Sequence, residues 1–311
     1  MINPASSTVL ITGGTGFIGS HLTNLLQSKG FLVTHLSRSI SEKEKVKTFK
    51  WDIKSGNIDP QALAGADYII HLAGAGIADK RWTKERKKTI IESRVKSAEV
   101  IYNQAAKTSH KIKAFISASG VNYYGTITSE KIFKEQDPPG DDFMAYTCKL
   151  WEKAADEFSN LKIRTVKLRT APVFGPDGGA LKTIAIPVKY YLGAPLGSGN
   201  QYFPWIHIDD LCKMYLQAIQ NKNMEGAYNA AAPDHITNKD LTKTIAKVLK
   251  KPLVLPNVPA FAIKLALGEL AQAVLNGSRI SSEKIIETGF EFNFPDLRGA
   301  LEDCLKKQGE N

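Results

Sequence analysis

The sequence predicts an α/β fold: a parallel, doubly wound sheet followed by a smaller α/β lobe at the carboxy terminus. Three observations lead there. From Thr8 to Ala231 short apolar runs alternate with amphipathic helical runs, the pattern of parallel strands joined by crossover helices. The first unit, Thr8-Val-Leu-Ile-Thr-Gly-Gly-Thr-Gly-Phe-Ile-Gly-Ser20, is a strand that breaks into glycines and enters a helix. The length, 311 residues, exceeds one ordinary core, so a second lobe is expected. We expect residues 1–176 and 203–232 in the sheet domain, and 177–202 and 233–311 in the lobe.

Val9 to Ile11 reads as a buried strand, and Ile18, Leu22, Leu25 and Leu26 share one helical face up to a Lys29-Gly30 stop. Between them Gly13-x-x-Gly16-x-x-Gly19 places backbone N–H groups at a helix N-terminus, where a Cβ would block an approaching pyrophosphate. Gly13, Thr15, Gly16, Phe17, Ile18 and Gly19 are therefore expected to hold a dinucleotide. Phe31 to Leu36 is the second strand. An acid at its end would accept from a ribose 2′-OH, but the chain has Ser37-Arg38-Ser39, a guanidinium beside two hydroxyls that suits a 2′-phosphate. The expectation is NADP(H), with NAD(H) as the alternative and a plain surface arginine as the bland reading of Arg38.

Glu42 to Lys47 reads as a solvated helix or loop, and Phe49 to Ile53 as a third strand whose Asp52-Ile53 end is placed to meet the adenine. Tyr68 to Gly74 is the fourth strand, and Leu72, Ala73 and Gly74 leave room for the cofactor at the carboxyl ends of the strands. His71 is expected to pack in the strand rather than act as a base. Asp79 to Thr83 leads into a long helix ending near Lys107, where Arg81 and Trp82 either clamp an anionic substrate or cap and pack the helix start. Ala114 to Gly125 is the fifth strand with its loop, Phe143 to Phe158 a helix, and Ile163 to Leu168 the sixth strand.

Gly193 to Gln201 is a backbone-rich loop suited to close approach of a ligand, or a plain connection. Asp209 and Asp210 are expected to cap the helix carrying Leu211, Met214, Tyr215 and Ala218. Tyr228 to Ala231 is a strand, Thr237 to Asp240 opens a helix, and Pro252 to Pro259 is extended. The amphipathic run Ala260 to Leu275 and a strand face of Phe290, Phe292 and Phe294 are expected to pack the lobe before a last helix, Ala300 to Lys307.

The formal charge of +10 comes from lysines spread along the chain without an arginine-rich tail, so no nucleic-acid partner is expected and the surface suits an anionic cofactor. Cys148, Cys212 and Cys304 lie far apart with no metal-ligand spacing, which suits a reducing cytoplasm and predicts no metal site. No secretory signal is expected. Val258 to Leu275 contains Lys264 and Glu269 and reads as an amphipathic helix, not a membrane span.

The Gly13 motif, Asp52-Ile53, His71-Leu-Ala-Gly74, Ser117-Ala-Ser119, Leu168-Arg169 with Gly175-Pro176, and Trp205-Ile-His-Ile-Asp-Asp210 together resemble the extended short-chain dehydrogenase/reductases. Arg81-Trp82-Thr83, Ser93-Arg94-Val95, Val121-x-Tyr-Tyr-Gly125, Gly197-Ser-Gly-x-Gln201, Gly268-Glu269, Gly289-Phe-Glu-Phe292 and Pro295-Asp-Leu297 narrow the resemblance. They point to its atypical epimerase-like subfamily, often labelled sugar-nucleotide epimerase-like or NAD-dependent epimerase/dehydratase. The resemblance runs nearly end to end. It implies a Rossmann fold, a dinucleotide, Pro172 and Val173 against the nicotinamide carboxamide, and a substrate lobe with Gln201 and Trp205 near the cleft.

The wider family pairs a serine or threonine after the fifth strand with Tyr-x-x-x-Lys on the next helix. Here Lys149 matches the lysine, but Ala145 stands four residues before it, and a tyrosine at 146 is turned about 100° away. Gly120 takes the usual serine place, with Ser119 one residue early. Another hydroxyl, from Ser119, Tyr123 or Tyr124, would then serve the cavity with Lys149 on the ribose. The implied function is an NADP(H)-dependent oxidoreductase or epimerase-like enzyme acting on a small molecule, a sugar nucleotide being one option. The alternative is a non-catalytic NADP(H)-binding or redox-sensing protein. A small-molecule substrate is the expected partner, and a homodimer stays open beside a monomer.

Overall fold

The computed structural model describes residues 4–40 and 46–307, so residues 41–45, in the stretch read as a solvated helix or loop, lie outside the described residues. The chain runs β1 (Thr8–Thr12), α1 (Phe17–Ser28), β2 (Leu32–Ser37), β3 (Lys47–Asp52), β4 (Asn57–Ile58), α2 (Pro60–Ala64), β5 (Tyr68–His71), α3 (Lys84–Lys107) and β6 (Ala114–Gly120). A 3-10 turn at Val121–Tyr124 leads to β7 (Ile132–Phe133), α4 (Phe143–Asp156), β8 (Arg164–Thr170), β9 (Val173–Phe174), α5 (Gly179–Lys189), β10 (Ile206–His207), α6 (Ile208–Gln220) and β11 (Gly226–Ala230). Then come α7 (Asn238–Val248), α8 (Ala260–Leu267), α9 (Ala271–Leu275), β12 (Arg279–Ile280), α10 (Glu283–Ile286) and α11 (Leu297–Lys307).

Eight strands form one sheet in the order β11-β8-β6-β5-β1-β2-β3-β4, parallel throughout except for the β3–β4 hairpin. The order departs from β1 in both directions, so the topological switch lies between β1 and β5. Ligands of such sheets bind at the carboxyl ends of the strands there. Because side chains alternate along a strand, β1 feeds two cores: Val9 and Ile11 pack with α1 and α6, and Leu10 packs with α3 and α4 on the other face. A third core gathers Phe174, Leu181, Ala185, Trp205, Leu241, Ile245 and Leu301 from the carboxy-terminal half and the segment that crosses into it.

Several expectations are corrected. The hairpin strand β4, the Asp59-capped, Pro60-started α2 and the helix Gly179–Lys189 were not anticipated. The run from Ala260 breaks at Gly268, where φ is +60°, so α8 and α9 are separate helices. Phe261 and Leu265 are 75% and 79% exposed, so that face of α8 does not pack the lobe. Phe290, Phe292 and Phe294 form no strand. Buried Asp210 accepts from Asn293 N at 2.7 Å and Phe294 N at 3.0 Å, taking donors a sheet would need. Asp210 is thus a clasp on the carboxy-terminal segment and not a cap; α6 is capped by His207 Nδ1, which accepts from Asp209 N at 3.2 Å. Among the described residues no helix is long and apolar enough to cross a membrane.

Candidate functional site

The turn after β1 is shaped by contacts that leave no room for side chains. Gly13 has φ +70°, and a Cβ on it would lie 3.3 Å from Ala73 N and Leu72 C. A Cβ on Gly19 would lie 2.2 Å from Gly13 O, and one on Gly14 2.4 Å from the His35 ring. Gly16, the N-cap of α1, has only Gly13 O near it, at 3.2 Å. The helix end is therefore open beside Gly16 and exposed Thr15, with no acidic residue in its first turn to occupy the unpaired N–H groups. That cradle fits a dinucleotide's phosphates. Gly19→Ala forces backbone apart rather than a flexible side chain, so it should cost about 1–3 kcal/mol in urea denaturation. A variant as stable as the parent would contradict the close approach.

Phe17 does something the sequence did not show. A Cβ on Gly175 or Gly178 would meet its ring at 2.6 and 2.5 Å, so those glycines exist to let the loop lie on Phe17. His21 Nε2 and Asp177 Oδ1, 2.9 Å apart, hold the same loop to α1. Ile18 packs on the first core.

Thr12, His71 and Ser97 lock β1 to β5. Thr12 Oγ1 accepts from Leu72 N and Ala73 N at 3.1 Å each, so its own proton goes to His71 Nδ1, 2.9 Å away. His71 Nε2 then carries the hydrogen toward Ser97 Oγ at 3.0 Å. Burial, with the Arg94 charge nearby, lowers the His71 pKa to about 4. This neutral histidine holds the Leu72–Gly74 loop against Gly13.

At the end of β2, Arg38 is exposed, and no carboxylate among the described residues pairs with it. Ser37 Oγ accepts from Ser39 N at 3.4 Å. Asp52 works first as a turn residue: Lys54 N and Ser55 Oγ each donate to it at 2.9 Å and hold its carboxyl below the usual range. Ile53 packs on the second core.

The helix expected to carry acid–base chemistry has a different register from the one read in the sequence. The buried face of α4 is Met144, Ala145, Thr147, Cys148, Trp151 and Glu152, whereas Lys149 is exposed. One residue is about 100° of helix, which is the whole difference. Cys148 is the residue beneath the end of β6, its Sγ 3.5 Å from where a Gly120 Cβ would stand, and Met144 lies one turn before it. Burial pushes the Cys148 thiol up to about 12, so it is neutral and no nucleophile.

Ser119 and Tyr123 do come together, through groups the sequence had not assigned. Ser119 Oγ donates to Glu152 Oε1 at 2.8 Å. Arg169 donates to both Glu152 oxygens, Nε to Oε1 at 2.8 Å and Nη2 to Oε2 at 2.9 Å. Its Nη1 donates to Tyr124 Oη at 2.9 Å, and Tyr124 donates to Asn229 Oδ1 at 2.7 Å. The Arg169 guanidinium stacks 3.5 Å from the centre of the half-buried Tyr123 ring. Burial raises the Tyr123 phenol above its ordinary value, and the Arg169 charge opposes that. Leu168-Arg169 stands out as a motif along the chain, whereas the pairing of Arg169 with Glu152 exists only across space.

The expected substrate residues are largely in structural use. Trp205 is fully buried and stacked on Phe174 at 5.6 Å, so its place is the third core and not a cleft. Gln201 is 3% exposed and donates to Leu196 O and Val274 O at 3.0 and 3.2 Å, bracing the glycine loop against α9. Trp82 Nε1 donates to Ile77 O at 3.0 Å and its ring meets Phe143 edge-on. Arg81 Nη2 donates to Leu265 O at 3.3 Å and Lys87 pairs with Glu269, so the start of α3 is tied to the α8–α9 corner. Pro172 O accepts from Ile206 N at 3.1 Å, and buried Val173 pairs with Ile206 in the β9–β10 ladder. Elsewhere the fold brings His207, Asp303 and Cys304 within 4.8 Å of one another, a grouping that spacing along the chain does not show. His207 Nε2 faces Asp303 Oδ2 at 3.3 Å beneath the Phe294 ring.

A family model described as the NAD dependent epimerase/dehydratase family matches residues 9–231, and a domain of unknown function, DUF1731, matches residues 258–304. The chain is 37% identical over 299 residues to the epimerase family protein YfhF of Bacillus subtilis (strain 168), covering 96% of this chain and 97% of that protein. The human epimerase family protein SDR39U1 (isoform 2), solved with NADPH, superposes with a TM-score of 0.85 at 31% identity, covering 96% of this chain and 99% of that one. The UDP-glucose 4-epimerase of Thermus thermophilus, solved with NAD, shares the fold, with a TM-score of 0.76 at 19% identity and coverage of 97% and 99%.

Proposed function

This chain belongs to the NAD-dependent epimerase/dehydratase family, and on that footing we propose that it binds NADP(H) and uses it to oxidise or reduce a small molecule at the strand ends. The observation that carries the reading is Arg38, an exposed guanidinium that no described carboxylate pairs with, beside Ser37 where an NAD site would place an acid. The human relative solved with NADPH supports it. When bound, the nicotinamide would supply hydride exchange; the chain's part is to cradle the diphosphate at Gly13–Gly19 and to exclude water.

Arg38→Asp should shift the ratio of NADPH to NADH affinity toward NADH by about ten- to a hundredfold, the worth of a charge-assisted phosphate contact. Titration of both cofactors by nicotinamide fluorescence reads it, and an unchanged ratio sinks the preference for NADP(H). Tyr123 is the hydroxyl we assign to proton exchange, because it is half-buried beside Arg169 and the lysine expected on α4 faces solvent. Tyr123→Phe should slow single-turnover hydride transfer, read as oxidation of bound NADPH by a panel of carbonyl compounds and as reduction of bound NADP+ by sugar nucleotides, by about a hundredfold with cofactor binding kept. A second reading is favoured by Met144 and Cys148 on the inward face of α4: a protein that holds NADP(H) without rapid turnover. NADP(H) that binds tightly and exchanges hydride with no member of the panel, in either direction, selects that reading.

A further inference from the structure

Among the described residues, Arg94 is a buried charge without a counter-charge. It comes from the middle of α3, is 6% exposed, and points at the end of β5, where a Cβ on Gly74 would lie 3.1 Å from its guanidinium carbon. Its Nη1 donates to Ile90 O at 2.9 Å, and the guanidinium lies 4.9 Å from the centre of the Trp151 ring. Nε is buried with no acceptor, Nη2 donates to no described residue, and no carboxylate among the described residues pairs with it. Burial lowers its pKa to about 10, so it stays charged at neutral pH. A desolvated, unpaired guanidinium is costly unless a ligand completes it.

The sheet order says which ligand. Arg38 follows β2, and Arg94 stands against Gly74, which follows β5, so two cations flank the β1 glycine cradle, one on each side. Neighbouring strands are ~4.8 Å apart, which is the scale on which an extended dinucleotide crosses from strand to strand. We propose that Arg94 holds the phosphate–ribose of the nicotinamide half, supplying from α3 the fixed positive charge that the buried face of α4 lacks. This rests on the NADP(H) reading, and the place of Cys148 beneath Gly120 explains why the charge must come from elsewhere.

The test titrates the full chain with NADPH and with adenosine 2′,5′-bisphosphate, which carries the 2′-phosphate but no nicotinamide half. Arg94→Met should weaken NADPH by about ten- to a hundredfold and leave the bisphosphate within about twofold. Equal loss of both ligands, or loss of neither, overturns the proposal. Wild-type protein that binds neither ligand overturns the NADP(H) reading first and this proposal with it. Should Arg94→Met fail to fold, Arg94→Lys keeps the charge and loses the fork, so it should lose NADPH affinity by less than about tenfold with the bisphosphate unchanged. A parallel loss of both ligands in that variant counts against Arg94. Adding Cys148→Lys to Arg94→Met places an ammonium beside the same strand end and should recover NADPH affinity, whereas a cation at 148 that restores nothing argues that the charge serves the fold alone.

Discussion

Arg169→Met should lower the folding free energy by about 3–5 kcal/mol, because it strands the Glu152 carboxylate in the interior without its counter-charge. Arg169 and Glu152 are 3% and 6% exposed, and two parallel N–H···O bonds of 2.8 and 2.9 Å join them. Burial by itself would pull the Arg169 pKa down, yet the hydrogen bonds and charge of Glu152 raise it above the ordinary arginine value. The same guanidinium holds Tyr124 and, through it, Asn229 of β11, so its removal loosens the ends of β6, β8 and β11 together. Urea denaturation of the variant reads the loss. Arg169→Met combined with Glu152→Met should recover most of it, since an apolar pair of similar volume leaves no stranded charge. A single-variant loss below about 1 kcal/mol would mean that the pair is solvated, contrary to the burial described.

The second large effect is of pH, through His71. Its folded pKa is lowered to about 4 from an unfolded value of 6.5, so the folded protein resists a proton that the unfolded chain accepts. Stability from this group is fully present above pH 6.5 and is lost as the pH falls from there to about 4, because over that window the unfolded state binds more protons. A gap of this size corresponds to about 3 kcal/mol. The network gives the reason beyond burial: a proton on Nδ1 would face Thr12 Oγ1, whose lone pairs already accept from Leu72 N and Ala73 N. Unfolding free energies at several pH values between 4 and 7, compared with His71→Gln, should show the variant losing about one proton of slope. An identical slope would mean that His71 already titrates normally in the fold. Some slope persists in the variant, since burial also lowers the pKa of His207.

The glycine cradle and the end of β2 were legible because they are local: a turn, a helix start and a strand end lie within a few residues, and each residue type there has a backbone or charge reason of its own. The α4 register was not legible. Lys149 and Cys148 differ by one position, and the sequence around them does not say which faces inward; packing of Met144, Trp151 and Glu152 on the sheet decides it. The stripe of Phe290, Phe292 and Phe294 misled for a related reason. Period-two apolarity marks a strand when a neighbouring strand supplies its hydrogen bonds, and here a carboxylate from α6 supplies them instead. Trp205 was expected near a cleft, but a large ring is as well suited to a third core, and that is where it packs.

By itself, then, the sequence determined the strand–helix alternation, the Rossmann architecture and the close-packed glycine turn after β1. Those follow from steric and hydrogen-bonding rules that act over one turn of chain. Only the tertiary structure decided the pairing of Glu152 with Arg169, the neutral state of His71 and the isolation of Arg94. Charges and hydrogen bonds depend on what stands across a few ångströms of space, and in these cases the partners lie on different elements, joined by the packing of helices on the sheet rather than by proximity along the chain.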